Sequence, residues 1–330
     1  MTCRLRTPIL LLFLALASLS ACRGAATDDV VVTATPHALS QQDAPKVVLF
    51  VIDGPRYSET FGDTTHTYIP HLWNDLRPLG TLLTNFRNEG TTTTNPGHAS
   101  IVTGTWQTVA NDGSERPDKP TIFEYYRKDT GAPQPDTYVI PGKDKLNVCA
   151  YSTHAAYGAA YGATASLGHA TDVSVYDALV SVLANQKPRV VLVSLSDVDE
   201  AGHSSVWSSY VSAITGADSL VWKTWNYLQQ DPFYADQTYL FITNDHGRHD
   251  DAHGGFQNHG DACEGCRHLT FLVLGPDVKA DHTSDSHFTQ RDICLTVAQI
   301  LDIPAPYAEG IIMQEIFESP PTGIKTTAPR

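Results

Sequence analysis

Apolar residues in this chain cluster into short unbroken runs, and several of these runs stop abruptly at Asp, Asn or Gly. Lys46 to Ile52 (KVVLFVI) ends at Asp53-Gly54, Arg189 to Leu195 (RVVLVSL) runs into Ser196-Asp197-Val198-Asp199, and Thr238 to Thr243 (TYLFIT) gives way to Asn244-Asp245-His246-Gly247. Continuous runs of β-branched and aromatic residues are what strands buried on both faces require. Gly80 to Phe86 and Leu269 to Leu274 read as two further strands, and Asn147 to Ala150 as a short one. Between them lie segments of helical spacing. Asp172 to Asn185 gathers Val175, Leu179, Val182 and Leu183 on one side; Val206 to Gln230 and Thr289 to Leu301 are long, and shorter helices are predicted at Pro70 to Leu76, His98 to Thr103 and Thr121 to Lys128. Alternating strands and helices predict a doubly wound, predominantly parallel α/β sheet with helices on both faces. At 330 residues the chain is long enough for a sizeable core.

The first residues do not belong to that pattern. Arg4 and Arg6 precede the uncharged run Ile9 to Leu19, followed by Leu19-Ser20-Ala21-Cys22. A positive start, a short apolar stretch and small residues before a cut describe a secretory signal. The run is shorter than the roughly 20 apolar residues that span a bilayer, so a retained transmembrane anchor is the weaker reading. The tetrad resembles a bacterial lipobox, with Cys22 as the lipidated first residue. Residues 1–21 are thus expected to be a lipoprotein signal peptide, 22–45 a flexible tether, and 46–330 the folded domain. Within it, the Pro- and Gly-rich region 105–170 is expected to be a substrate-shaping excursion. The protein would be exported and held by lipid, facing the periplasm or cell surface.

Removing residues 1–21 takes away two arginines and no acid, leaving 20 basic against 36 acidic residues, a net charge of −16. That balance argues against a nucleic-acid groove, and against membrane contact other than through the anchor. An anionic substrate would need local cations to draw it in. Of the six cysteines, Cys149, Cys263, Cys266 and Cys294 remain in the domain. In an oxidising compartment a short disulfide between Cys263 and Cys266 is the expectation. The pair also reads as half a zinc knuckle, although no second Cys-x-x-Cys completes it.

Candidate chemistry follows from the strand ends. Parallel strands bring their carboxyl ends to one edge, so Asp53, Asp199 with His203, and Asp245 with His246 can converge. A sixth donor would come from the histidine-rich loop that holds His249, His253 and His259, which taken alone could be an ordinary hydrophilic loop. Six carboxylate and imidazole donors suffice for two divalent cations, and Asp with His suits zinc, manganese or iron better than calcium or magnesium. Thr94 precedes Asn95-Pro96-Gly97 at what reads as a helix start. Its hydroxyl is there either as a nucleophile at an anion-favouring helix end or as a simple N-cap.

Five pieces, in order, resemble the alkaline phosphatase superfamily, particularly its type I phosphodiesterase/nucleotide pyrophosphatase and phosphopentomutase-like branches. They are Val51-Ile52-Asp53-Gly54, Thr94-Asn95-Pro96-Gly97-His98 leading into Ser100 to Gly104, Asp199-Glu200-Ala201-Gly202-His203, Thr243-Asn244-Asp245-His246-Gly247 and His259-Gly260-Asp261. The resemblance implies an alkaline phosphatase-like fold with two divalent metal ions, most simply zinc. Asp53, Asp245, His246 and the Thr94 oxygen would hold one ion; Asp199, His203 and His259 would hold the other. His259 is preferred to His249 and His253 for its His-Gly-Asp context. Thr94 would be the nucleophile, passing through a covalent phospho-threonine. Asn111 is the nearest counterpart of the asparagine that, in the phosphodiesterase branch, helps hold a phosphoryl oxygen.

The implied substrate is a small-molecule phosphate ester, with phosphodiester or pyrophosphate bonds favoured over monoesters. Sulfatases of the superfamily carry Cys or Ser in Cys/Ser-x-Pro-x-Arg, whereas this chain has Thr94 with Gly97-His98 where that arginine would fall. Two alternatives stand beside hydrolysis: a phosphomutase-type phosphotransferase, and a non-catalytic metal-binding surface lipoprotein.

Overall fold

The computed structural model describes residues 44–319; the expected signal segment, Cys22 and all of the tether but its last two residues lie outside them. The strands in chain order are β1 (Lys46–Ile52), β2 (Gly80–Leu83), β3 (Phe86–Arg87), β4 (Thr137–Pro141), β5 (Thr164–Ala165), β6 (Val190–Leu195), β7 (Thr238–Thr243), β8 (His268–Leu269), β9 (Phe271–Leu274), β10 (His282–Ser284) and β11 (Phe288–Thr289). The helices are α1 (Thr94–Thr103), α2 (Ile122–Thr130), α3 (Asp172–Gln186), α4 (Asp197–His203), α5 (Trp207–Gln230), α6 (Glu264–Arg267) and α7 (Gln290–Ile300).

Eight strands form one sheet in the order β10-β2-β9-β7-β1-β6-β4-β5. Every pairing in it is parallel except those of β9, which runs antiparallel to β2 and β7. The small strands β11, β3 and β8 make a separate sheet. Both faces of the large sheet are covered, as the unbroken apolar runs require. Val47, Leu49 and Val51 of β1 pack with Ile101, Val102 and Val297 from α1 and α7 on one side. Val48, Phe50 and Ile52 pack with Leu179, Ile214 and Val221 from α3 and α5 on the other. On α5, the buried Tyr210, Ile214, Ala217, Val221, Thr224 and Leu228 recur at steps of three and four, the spacing of a single helical stripe laid on a sheet.

Several predicted elements shift. The strand expected over Gly80 to Phe86 stops at Leu83, and Phe86 joins the second sheet. Leu269 to Leu274 divides into β8 and the antiparallel β9. Asn147 to Ala150 is a 3-10 segment, Asp144–Ala150, and not a strand. The strand of that region is β4, whose TYVIP sequence ends at Pro141-Gly142 and carries a weaker apolar signal. Because β4 pairs with β6, part of the region 105–170 is scaffold.

The three central strands end level. Ile52 lies opposite Leu195, and Val51 opposite both Ser194 and Thr243, so Asp53, Ser196 and Asp245 leave the sheet at one level. After β6 the chain turns into α4, which the sequence did not announce. Its start is held by Asp172 at the head of α3, whose Oδ1 accepts the N–H groups of Ser196 at 2.7 Å and Asp197 at 3.1 Å. Burial, and after it the neighbouring Asp197, push the Asp172 pKa up to about 7.

Two stability predictions follow from this packing. Leu192→Ala, on β6 at 0% exposure, is expected to lower the unfolding free energy by about 2–5 kcal/mol. Val173→Ala, on the open side of α3, should change it by less than about 0.5 kcal/mol; urea denaturation compares them. An acid whose folded pKa lies above its unfolded value contributes stability that is present below the unfolded pKa and lost as pH rises through the folded one. For Asp172 that loss runs from about pH 4 to beyond about pH 7. Asp172→Asn keeps the acceptor oxygen and should abolish the loss, a gain on the order of 2 kcal/mol at alkaline pH, read from urea curves on either side of neutrality.

Candidate metal centre

Asp53 follows β1, and Asp245 and His246 follow β7; all three are fully buried. His246 Nε2 lies 3.3 Å from Asp53 Oδ1 and 3.4 Å from Asp245 Oδ2. Asp245 is aimed by its other oxygen, Oδ1, which accepts from Gly54 N at 3.2 Å and His246 N at 2.9 Å. His246 Nδ1 faces the Gly247 carbonyl at 2.8 Å, which leaves Nε2 as the nitrogen turned toward the carboxylates. The three atoms that converge, Asp53 Oδ1, Asp245 Oδ2 and His246 Nε2, are buried without a hydrogen-bond partner. Leaving such groups unpaired is costly, and a cation among them removes the cost. This donor set fits a divalent metal ion. In its absence burial pulls the His246 pKa down, but Asp245, Asp53 and Asp199 outweigh it and raise it to about 9.

Thr94 sits beside this set. It is the first residue of α1 and buried, and the N-cap is Thr93, which removes the reading of Thr94 as a capping residue. The next turn of α1 touches Asp245 directly: a Cβ on Gly97 would stand 2.4 Å from the Asp245 carbonyl oxygen, so only glycine allows the helix so close. His98 Nδ1 faces the Thr94 carbonyl at 2.9 Å and lies 3.2 Å from Asp245 Oδ2, while its Nε2 meets Ser194 Oγ at 2.8 Å. Asn111 is close by, but its side-chain oxygen accepts the Asn95 N–H at 2.9 Å and faces Lys145 Nζ at 3.3 Å.

A second set forms at α4. His203 Nε2 and His259 Nε2 lie 3.3 and 3.4 Å from Asp199 Oδ1, and 3.2 Å from each other. His259 Nδ1 points at the Thr92 carbonyl at 3.1 Å, leaving Nε2 for Asp199. The His259 ring stacks on His246 with centroids 3.9 Å apart. Burial, and then the charge of His246, lower its pKa to about 3, which keeps the lone pair that a metal ligand needs. The two sets meet at this stacked pair.

Two basic residues that sequence reasoning passed over complete the site. Lys143, two residues past β4, bridges the sets, with Nζ 2.7 Å from Asp53 Oδ2 and 2.5 Å from Asp199 Oδ2. Burial and Asp199 favour the protonated form of Asp53, but Lys143 and His246 prevail and hold its pKa below the usual carboxylate range. Arg248, fully buried, pairs with Asp199 Oδ1. It can lie there because residue 202 is glycine: a Cβ would stand 2.5 Å from the guanidinium carbon. Lys143 was traceable only through β4, while Arg248 was in plain view after His246-Gly247. Asp199 is therefore shared between imidazoles and two cationic side chains, whereas the Asp53 set keeps open ligand atoms.

His249 and His253 belong to neither set. His249 groups with Asp261 and Cys266, and His253 with Asp250 and Cys263. The disulfide expected between Cys263 and Cys266 is not formed: both are free thiols, and the Cys266 sulfur groups with His249 and Asp261.

The family model described as the metalloenzyme superfamily matches residues 152–301, the part that contributes Asp199, His203, Asp245, His246 and His259. No curated protein matches the chain. Among solved structures, the phosphonate monoester hydrolase of Silicibacter pomeroyi superposes with a TM-score of 0.62 at 13% identity, over 85% of this chain and 78% of that one. Murine ectonucleotide pyrophosphatase/phosphodiesterase 5 gives 0.62 at 13%, over 82% of this chain and 100% of that one. The PsFucS1 sulfatase from Pseudoalteromonas sp. gives 0.61 at 12%, over 86% and 74%. At such identities the likeness is one of fold. Together, these superpositions show an alkaline phosphatase-like fold, and the family match makes residues 152–301 similar to the metalloenzyme superfamily.

Proposed function

We propose that this chain is a metal-dependent hydrolase of phosphate esters, with phosphodiester or pyrophosphate bonds favoured, and that Thr94 is its nucleophile. The observation that carries the proposal is the set of three unpartnered buried ligand atoms, on Asp53, Asp245 and His246, against which α1, begun by Thr94, packs at Gly97 and His98. The superfamily implies divalent metal ions: Asp53, Asp245 and His246, which converge, would hold one with Thr94, and Asp199, His203 and His259 the other, with His246 also within reach of Asp199 and His259. Bound there, such ions supply Lewis acidity toward phosphoryl oxygens and lower the pKa of a coordinated hydroxyl; zinc suits the donors best, with manganese or iron as alternatives.

The chain's own groups account for the remaining chemistry. Thr94 is the first residue of α1, at the positive end of the helix dipole, which favours a phosphoryl anion beside it. Attack by the Thr94 oxygen forms a threonyl phosphate and releases the leaving group, and water then cleaves that ester. Lys143 and Arg248 offset two of the three buried carboxylate charges, and bound metal ions would supply the positive charge that an anionic substrate needs in an acidic chain. Asn111 would steady the loop against α1 through Asn95. Threonine at position 94 argues for phosphoryl rather than sulfuryl transfer. The signal-like start and Cys22 support an exported, lipid-held enzyme with a small-molecule substrate. No helix among the described residues is long and apolar enough to cross a membrane.

Turnover of bis-p-nitrophenyl phosphate is expected to exceed that of the monoester and of p-nitrophenyl sulfate; inactivity on all three overturns the proposal. Thr94→Ala should cut turnover by at least about a thousandfold with metal content retained, and quenched wild-type reactions should yield phosphothreonine by mass spectrometry. Dialysis against a chelator should abolish activity, and adding back zinc or manganese should restore it.

A further inference from the structure

The segment that delivers Arg248 and His259 has little regular structure: a 3-10 turn at Asp251–His253 and the four-residue α6. It nevertheless has to hold two site residues in place. Its limbs are tied by Gly247 N to the Cys266 carbonyl at 2.9 Å and His249 N to the Asn258 carbonyl at 2.8 Å. Around these ties lies a cluster that the candidate centre does not use. His249 Nε2 is buried without a hydrogen-bond partner, 3.3 Å from Asp261 Oδ2. One ligand atom each from His249, Asp261 and Cys266 lies within 4.8 Å of the others. Cys263, three residues before Cys266, belongs to a second group with Asp250 and His253, themselves paired at 2.7 Å. Asp261 is oriented by its Oδ1, which accepts Cys263 N at 2.9 Å.

We infer that Cys263, Cys266, His249 and Asp261 form a structural zinc site, distinct from the candidate metal centre, that fixes this loop. The Cys-x-x-Cys pair was half a zinc knuckle in the sequence; folding supplies the other half as an imidazole and a carboxylate. Two sulfur donors with nitrogen and oxygen select zinc over the hard cations, and four donors make the closed tetrahedral set of a structural site. Zinc takes both sulfurs as thiolates, and the two thiol protons pass to solvent. Burial, and after it the neighbouring Cys263, push the Cys266 thiol pKa up, so without a metal Cys266 is an unreactive thiol. His259 lies between Asn258, which accepts from His249 N, and the ligand Asp261, so the zinc sets where His259 points.

The test counts zinc in full-length protein whose candidate centre has been disabled by Asp53→Asn with His246→Ala. One tightly held zinc per chain is expected to survive desalting, and adding Cys263→Ser with Cys266→Ser should remove it. In the same background, cobalt exchanged for that zinc should show a thiolate-to-cobalt charge-transfer band, which His249→Ala weakens or shifts. The His249 variant keeps the test decisive if the double cysteine variant does not fold. Zinc content unchanged by the cysteine substitutions, a cobalt band indifferent to His249→Ala, or a Cys263–Cys266 disulfide in unreduced native protein would each overturn the inference. None of these readouts depends on phosphate-ester turnover.

Discussion

Three carboxylates, those of Asp53, Asp199 and Asp245, are buried at one edge of the sheet, where water cannot screen them from one another. Like charges in such a place raise each other's pKa or demand positive partners. Here the partners are built in: Lys143 spans Asp53 and Asp199, Arg248 holds Asp199, and the imidazoles of His246, His203 and His259 fill the spaces between. The Asp53, Asp245 and His246 set is still left with three ligand atoms unpartnered. Much of the surrounding structure can be understood as holding this charge cluster together and leaving that opening in it.

The scaffold does so by bringing backbone very close. Level strand ends put the acids side by side, glycine at 97 lets α1 touch Asp245, and glycine at 202 lets a full guanidinium lie against α4. Asp172 contributes from outside by seating the first turn of α4. The loop carrying His259 lacks comparable support from regular structure, which is why a cluster of thiols and imidazoles beneath it is of interest. A metal there would do for the loop what strands do for Asp53 and Asp245.

The central strands were legible because β1, β6 and β7 are buried on both faces and so must be continuously apolar. The same strands exposed the site, since an Asp or His directly after such a run has little role in packing. Misreadings occurred where those signals fade. β4 ends in proline and glycine, so it and the Lys143 behind it were taken for part of a surface excursion. Val198 stands between two aspartates in the sequence, yet it packs into the core. Arg248 was visible but had no evident use, because its value lies in Asp199, which is distant in sequence.

The sequence by itself determined the doubly wound class, the order of the strand ends and the identity of most donors, since burial and strand periodicity are local properties of composition and spacing. Only the tertiary structure brought those donors into candidate groups. It also placed the N-cap at Thr93 and set Lys143 across two carboxylates from different strands. It left Cys263 and Cys266 as free thiols beside His249 and Asp261. Each of these depends on distances between segments far apart in the chain, which are set by the register of the sheet and the close approach of helices to its edge.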